Sequence, residues 1–243
     1  MLWKKKDKIS MELWPKGSGW EYVYLTVNGE RYKFVISTVF DYGFNALLEG
    51  LYYLNPDVHQ YDSHTSDFCP HRHIFDYVFS VGEIRGTRSY IVENMEEARR
   101  KMGRDYGFGV EDIPYKLEFS WMDEPGSTNW LIEKPKNNKR VFDLHIHIIN
   151  NNRGEEEKII DFTVPYKEFC YVVAKAATEV LKKHGLLGYH TSVFNEDMNL
   201  RCLLRLKAYA LGCEQDIKVT RYTDAEGDIS SLEAEFKLLM RDM

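Results

Sequence analysis

Between residues 115 and 164 apolar and polar side chains alternate in four short runs, and the last run leads straight into a segment of helical period. Alternation of period two predicts strands with one buried and one wet face. Tyr115, Leu117, Phe119 and Trp121 alternate with Lys116, Glu118 and Ser120, and Asp123-Glu124-Pro125-Gly126 turns the chain. Trp130 and Ile132 then point inward, and residues 135–139 make the next turn. Phe142, Leu144, Ile146 and Ile148 alternate with Asp143, His145 and His147; after a polar loop over 150–157, Ile160, Phe162 and Val164 finish a fourth strand. The four runs predict an antiparallel meander with one covered face.

Upstream, residues 20–27 and 30–37 flank Asn28-Gly29, a dipeptide suited to the two positive φ angles of a type I′ turn. A two-residue loop fixes the register, pairing Val27 with Glu30, Leu25 with Tyr32 and Val23 with Phe34. Val23, Leu25, Tyr32, Phe34 and Ile36 then share one face, opposite Tyr24, Thr26, Arg31 and Lys33. Phe44, Leu47, Leu48 and Leu51 form a helical stripe, with Asp41 as cap and Asn55-Pro56 as stop. Residues 57–73 show no period and predict a long loop, 74–81 a strand, and 95–102 a short helix. In that helix Met95, Ala98 and Met102 share a side, Glu97 pairs with Lys101, Asn94 caps and Gly103 stops.

Pro165 opens a long helix through Lys183, ended by Gly185. Phe169, Val172, Val173, Ala176 and Val180 form its apolar face; Glu168, Lys175, Glu179 and Lys182 form the wet one. A second helix is expected over 196–211, capped by Asn195, with Leu200, Leu203, Leu204 and Leu211 inward and Gly212 as terminator. The tail predicts a strand at 216–222 and a helix over 230–240. The fold class is therefore α+β: a mostly antiparallel sheet, built of the N-terminal hairpin and the four-stranded meander, with helices packed on one face. Residues 1–243 read as a single domain, with 1–110 and 111–243 as the division if there is one.

Composition sharpens this picture in three ways. A 44% hydrophobic and 29% charged mix is that of an ordinary globular chain. A net charge of −6 argues against a general nucleic-acid binder, and it suits a basic protein partner. The basic clusters (Lys4 to Lys6; Arg99, Arg100, Lys101 and Arg104; Lys134, Lys136, Lys139 and Arg140) read as solvated faces. The basic N-terminus has no apolar segment behind it, so it does not resemble a signal peptide, and no window has the apolar length of a membrane span. Cys69, Cys170, Cys202 and Cys213 show no paired spacing, which predicts a reducing compartment and a cytoplasmic protein.

Chemistry-bearing residues are few in kind. His59, His64, Cys69, His71 and His73 crowd one loop, and imidazole and thiolate are good zinc ligands, but their spacing matches no closed zinc motif. His145 and His147 share the wet face of a strand, where a carboxylate from Asp143 or a neighbouring strand would be needed to complete a metal site. Asp224, Glu226, Asp228 and Glu235 have the acidic density of a calcium loop, yet Ile229 stands where such a loop needs glycine. GxSxG, HExxH, P-loop and GxGxxG patterns are absent from the sequence. Cys170 and Cys202 fall on helical patterns that predict burial rather than nucleophilic use. No catalytic, cofactor or metal residue is assigned, and no cofactor is expected. Trp20, Tyr22, Tyr24, Tyr52, Tyr53 and Trp130 leave a surplus of rings, and exposed tyrosines beside acidic residues would suit a protein interface.

Residues 115–211 carry a family resemblance. The strand ending Trp121-Met122-Asp123-Glu124-Pro125-Gly126, the Trp130 strand, the Leu144, Ile146 and Ile148 alternation, Gly185-Leu186-Leu187-Gly188-Tyr189-His190 and Leu203-Leu204-Arg205-Leu206-Lys207 together resemble bacterial immunity proteins of polymorphic, contact-dependent toxin systems. The resemblance implies a non-enzymatic cytoplasmic protein that binds a toxin domain and occludes it, with neither nucleic acid nor membrane as partner. It carries no site residues over to this chain. The alternative is a metal-dependent hydrolase using His59, His64, His71 and His73, with His145 and His147 as further ligands. A scaffold subunit is the third reading.

Overall fold

The Asn28-Gly29 turn forms as its chemistry requires, with φ of 54° and 90° at the two residues. The structure is a computed structural model that describes residues 7–39, 43–54, 73–81, 84–92, 116–123, 126–135, 142–151, 158–193, 197–217, 220–221 and 228–243. Strands β2 (Trp20–Val27) and β3 (Glu30–Ser37) flank the turn in the predicted register, with Val23 opposite Phe34 and Leu25 opposite Tyr32. A third strand, β1 (Ile9–Gly17), adds to the free edge of β2 through a second two-residue turn at Ser18-Gly19, both at positive φ. The sequence reading missed β1. Only Met11 and Leu13 are buried along it, and Pro15 sits at the irregularity between Pro15 and Gly17, so its alternation is too short to stand out.

Helix α1 (Asn45–Leu54) buries Leu47, Leu48 and Leu51, as the stripe predicts; the proposed cap Asp41 lies outside the described residues. Strand β4 (His73–Val81) falls where a strand is expected and pairs with β5 (Ile84–Val92), whose Arg-Gly-Thr-Arg-Ser centre has no apolar period to announce it. The helix expected over 95–102 lies outside the described residues.

The meander is β6 (Lys116–Met122), β7 (Ser127–Glu133), β8 (Asp143–Asn151) and β9 (Lys158–Pro165), antiparallel and ordered β6-β7-β8-β9. Register places Trp130 beside Ile148, Ile146 beside Phe162 and Leu144 beside Val164, and all six side chains are buried. The chain is thus α+β with mostly antiparallel sheets. Helix α2 (Tyr166–Ser192) follows directly; Phe169, Val172, Val173, Ala176 and Val180 face the core as expected. Gly185 (φ 71°, ψ 171°) interrupts it, but a further helical piece follows to Ser192, beyond the predicted end.

Helix α3 (Leu200–Leu211) begins four residues later than expected. Asn199, not Asn195, is the cap, its side chain accepting from the Cys202 N–H at 3.1 Å. Leu203 is fully buried, whereas Leu204 and Leu211 are half-buried in a small satellite cluster with Ala208, Ile217 and Leu238. Gly212, at φ 70°, terminates the helix as predicted. Within the strand expected over 216–222 the described residues form a shorter one, β10 (Thr220–Arg221), which pairs with β11 (Asp228–Ile229) and is preceded by a 3₁₀ turn at Glu214–Ile217. Helix α4 (Leu232–Met240) closes the described chain, capped by the Ser231 side chain.

One continuous cluster of buried side chains draws on β1–β3, α1, β6–β9, α2 and α3. Its centre is aromatic. The Phe34 ring of the first sheet lies 6.0 Å from that of Trp121 and 5.7 Å from that of Trp130, and those indoles stand 4.9 Å apart. Such ring pairs add about 0.5–1.5 kcal/mol each beyond the area they bury. Phe34→Ala is expected to cost about 3–5 kcal/mol, the usual range for emptying a buried phenylalanine site. Urea unfolding would show this as a lowered midpoint, and a midpoint within error of wild type would refute the central role given to this ring.

Candidate functional site

The wet face of the three-stranded sheet groups rings and charges together. Strict alternation turns Glu12, Trp14 and Lys16 of β1, Tyr22 and Tyr24 of β2, and Arg31 and Lys33 of β3 away from the core. Register puts Trp14 beside Tyr22 and Tyr24 beside Lys33. The cations lie over the rings: Lys33 Nζ is 3.7 Å from the Tyr22 centroid, and Arg31 Cζ is 4.2 Å from that of Tyr24. Lys16 approaches Tyr22 at 5.8 Å, and Lys183 reaches over from α2 to lie 4.1 Å from the Trp14 ring. Glu12 is the carboxylate among them, accepting from Arg31 Nη2 at 3.0 Å and Trp14 Nε1 at 3.2 Å. Stacked cations and cross-strand contacts hold these rings in place while leaving Trp14 45% exposed.

The expected company of an acidic residue is met at Tyr24, which is in register with Glu12, and cations join both rings. Tyr22 and Tyr24 are half-buried on this face. Of the other surplus rings, Tyr52 and Trp130 are buried. Tyr52 takes a hydrogen bond from Arg201 Nη2 at 2.7 Å, and the Tyr53 side chain lies outside the described residues. Of the basic residues read as solvated, Lys134 instead donates to the Leu54 carbonyl at 2.9 Å and approaches the Phe142 ring at 5.4 Å. Lys136, Lys139, Arg140 and the two other clusters lie outside the described residues.

On the wet face of the second sheet His145 and His147 do meet a carboxylate from a neighbouring strand. Asp161 of β9 is in register with His147, and it accepts from His147 Nδ1 at 3.2 Å and His145 Nε2 at 2.5 Å. Glu133 of β7 stands 3.7 Å from His145 Nδ1. The ring nitrogens are directed at Asp161 rather than at a common vacant point. Among the described residues no three His, Cys, Asp or Glu side chains are placed to hold a metal ion. Burial pushes the Asp161 carboxyl up, but the hydrogen bonds from His147 and His145 outweigh it and hold the group below the usual carboxylate range. Alternation alone turns Asp161 outward between Ile160 and Phe162, so counting register back from residue 165 would have found this pair.

His59, His64, Cys69 and His71 lie outside the described residues, as does the side chain of His73. Asp224 and Glu226 also lie outside them, while Glu235 is held by the Ser230 hydroxyl at the start of α4. Cys170 and Cys202 are buried free thiols as expected, and burial pushes the Cys170 thiol up to about 12, far from a reactive thiolate.

Three buried charged groups escaped the sequence reading: Glu21, Lys207 and Arg205, whose Nη1 donates to the Ile217 carbonyl at 3.0 Å. Glu21 shares the inward parity of Val23 and Leu25; it accepts from the Tyr189 hydroxyl at 2.5 Å and the Phe44 N–H at 3.2 Å. Lys207 is fully buried and donates to Thr178 Oγ1 at 3.3 Å and to the carbonyls of Leu239 at 3.0 Å and Arg241 at 2.6 Å. It thereby satisfies carbonyls at the end of α4 that the helix itself leaves unpaired. Burial, helped by the nearby Lys182 ammonium, pulls Lys207 down to about 8.

No protein-family model matches the chain, and the searches of curated proteins and of solved structures likewise return no match. What fold and surface define is an α+β protein with an exposed, cation-stacked aromatic sheet face. Among the described residues no helix is long and apolar enough to cross a membrane.

Two measurements check these environments. Lys207 loses its proton near pH 8 when folded and near the ordinary lysine value of about 10.4 when unfolded. The unfolded chain binds more protons in that window, so stability is expected to rise with pH from 8 to 10.4 and to show no slope from this group below it. Wild type and Lys207→Met compared across the window should diverge in that direction, and parallel curves would refute it. For the second sheet, His145→Ala/His147→Ala should return the Asp161 carboxyl upward toward its ordinary titration, read by carbon-13 NMR.

Proposed function

We propose that this is a non-enzymatic, cytoplasmic binding protein of the immunity kind, which neutralises a toxin domain by covering it. The observation that carries the reading is the outer face of β1–β3, where Trp14, Tyr22, Tyr24 and Arg31 stand together on a rigid sheet. Tryptophan, tyrosine and arginine are the residues that most often dominate binding energy, since each offers a large surface that loses little freedom on contact. The toxin-neutralising part of the proposal rests on the resemblance over residues 115–211.

Charge works at two ranges here. The net charge of −6 draws a basic domain from a distance, while Lys16, Arg31, Lys33 and Lys183 around Glu12 would seat carboxylates of that domain at contact. The test is to seek a toxin domain among the proteins encoded beside this one and to co-express the two. Wild type is expected to restore growth and to bind the domain in calorimetry. Trp14→Ala and Arg31→Ala should each weaken binding by about 2 kcal/mol, roughly thirtyfold in Kd. Failure of wild type to bind would sink the function, and undiminished binding by the variants would sink the face.

A further inference from the structure

We infer that α4 is a latch: it lifts from the body as one unit while the sheets, α2 and α3 stay folded, and the Lys207 side chain is the clasp that holds it down. The apolar attachment of α4 is slight. Of its nine residues Leu238 is buried, while Leu232, Phe236 and Met240 are 67%, 54% and 58% exposed. Leu238 and Ala234 sit in the satellite cluster with Ala208, Ile217, Leu204 and Leu211, and the half-buried Leu239 and Met243 touch the main core. By contrast α2 buries Phe169, Val173, Ala177 and Val180 in that core. A nine-residue helix does not persist alone in water, so α4 is helical while it is docked, and detachment and unwinding are one event.

What closes the latch is polar. Lys207 rises fully buried from α3 and donates to Thr178 Oγ1 of α2 at 3.3 Å and to the carbonyls of Leu239 at 3.0 Å and Arg241 at 2.6 Å. Three acceptors meet the three donors of an ammonium group. One side chain thus ties the last turn of α4 to both helices beneath it, and its loss would take a buried donor from two carbonyls. The second tie, Lys182 to Asp242, stands in water, with Asp242 96% exposed, where such a pair holds little. The seat itself does not depend on α4. Leu204, Ala208 and Leu211 belong to α3, whose Leu203 and Leu206 are in the main core, and Arg205 Nη1 holds the Ile217 carbonyl at 3.0 Å. Lifting α4 therefore uncovers a formed apolar seat with Lys207 beside it.

Native-state hydrogen exchange of the full chain at a series of urea concentrations tests this. The α4 amides should exchange through one common opening, with a shallower urea dependence than the amides of α2 and α3, because a local opening exposes little surface. Leu238→Ala should speed exchange across α4 roughly thirtyfold, the effect of emptying one buried leucine site, with α2 unchanged. Lys207→Met should speed it about tenfold or more, again with α2 unchanged. Thr178→Val, which keeps the shape of the side chain and removes one acceptor, should act in the same direction and covers the case of a Lys207→Met chain that fails to fold. An α4 that shares the urea dependence of α2 and α3, a Leu238→Ala chain that exchanges faster in every element alike, or clasp variants with α4 exchange at the wild-type rate would each overturn the inference.

Discussion

The two sheets are joined by three rings, and the rest of the fold is arranged around that junction. An antiparallel sheet with one apolar face cannot stand alone in water; it must cover that face. Phe34 carries the first sheet into contact with Trp121 and Trp130 of the second, and Phe119 stacks on Trp130 at 5.7 Å with its plane nearly parallel. The Trp121 N–H, which burial would otherwise leave costly, donates to the Gly43 carbonyl at 2.9 Å. This places the start of α1 over the second sheet. The approach is close: a Cβ on Gly50 would stand 2.0 Å from Leu117 Cδ2, so a larger residue there would require the Leu117 side chain to move.

Buried polar groups then fix how the helices sit on this base. Asn45 accepts from the Asn199 N–H at 2.8 Å and donates to the Asp197 carbonyl at 2.8 Å, while Asn199 Nδ2 donates to Glu49 at 2.7 Å. The Tyr166 hydroxyl donates to the Leu51 carbonyl at 2.7 Å, and Tyr189 reaches Glu21 from beyond the break at Gly185. Apolar contact tolerates sliding, whereas a buried donor left without its acceptor costs about 1–3 kcal/mol, so these bonds select one arrangement. The result is a rigid support whose outer sheet face carries its rings in fixed positions. Preorganisation of that kind suits docking, since little freedom is left to lose on contact.

Much of this frame was legible in the residues. Asn28-Gly29 with its flanking alternation specified the hairpin to the residue, because a type I′ turn admits one register. The meander and the apolar face of α2 followed from period alone. β1 was not legible, since two buried side chains beside a proline make no period, and β5 was hidden by Arg85, Gly86 and Arg88. The start of α3 was misplaced because Asn195 and Asn199 are both capping residues, and Glu49 and Asn45, some 150 positions upstream, favour the latter. The hairpin register already places Arg31 and Lys33 on the face of Tyr24, whereas Trp14, Lys16 and Lys183 were not legible there, because they come from β1 and α2.

Local rules therefore determined the elements: turn chemistry, alternation and helical spacing act within a few residues, and their outcome is written along the chain. Tertiary structure alone decided what those elements meet. It put Glu21 under Tyr189, Lys183 over the Trp14 ring and Lys207 at the end of α4. Each of these contacts joins residues from different elements. Whether such groups meet is set by how the elements pack, and packing is a property of the whole core rather than of any window of sequence.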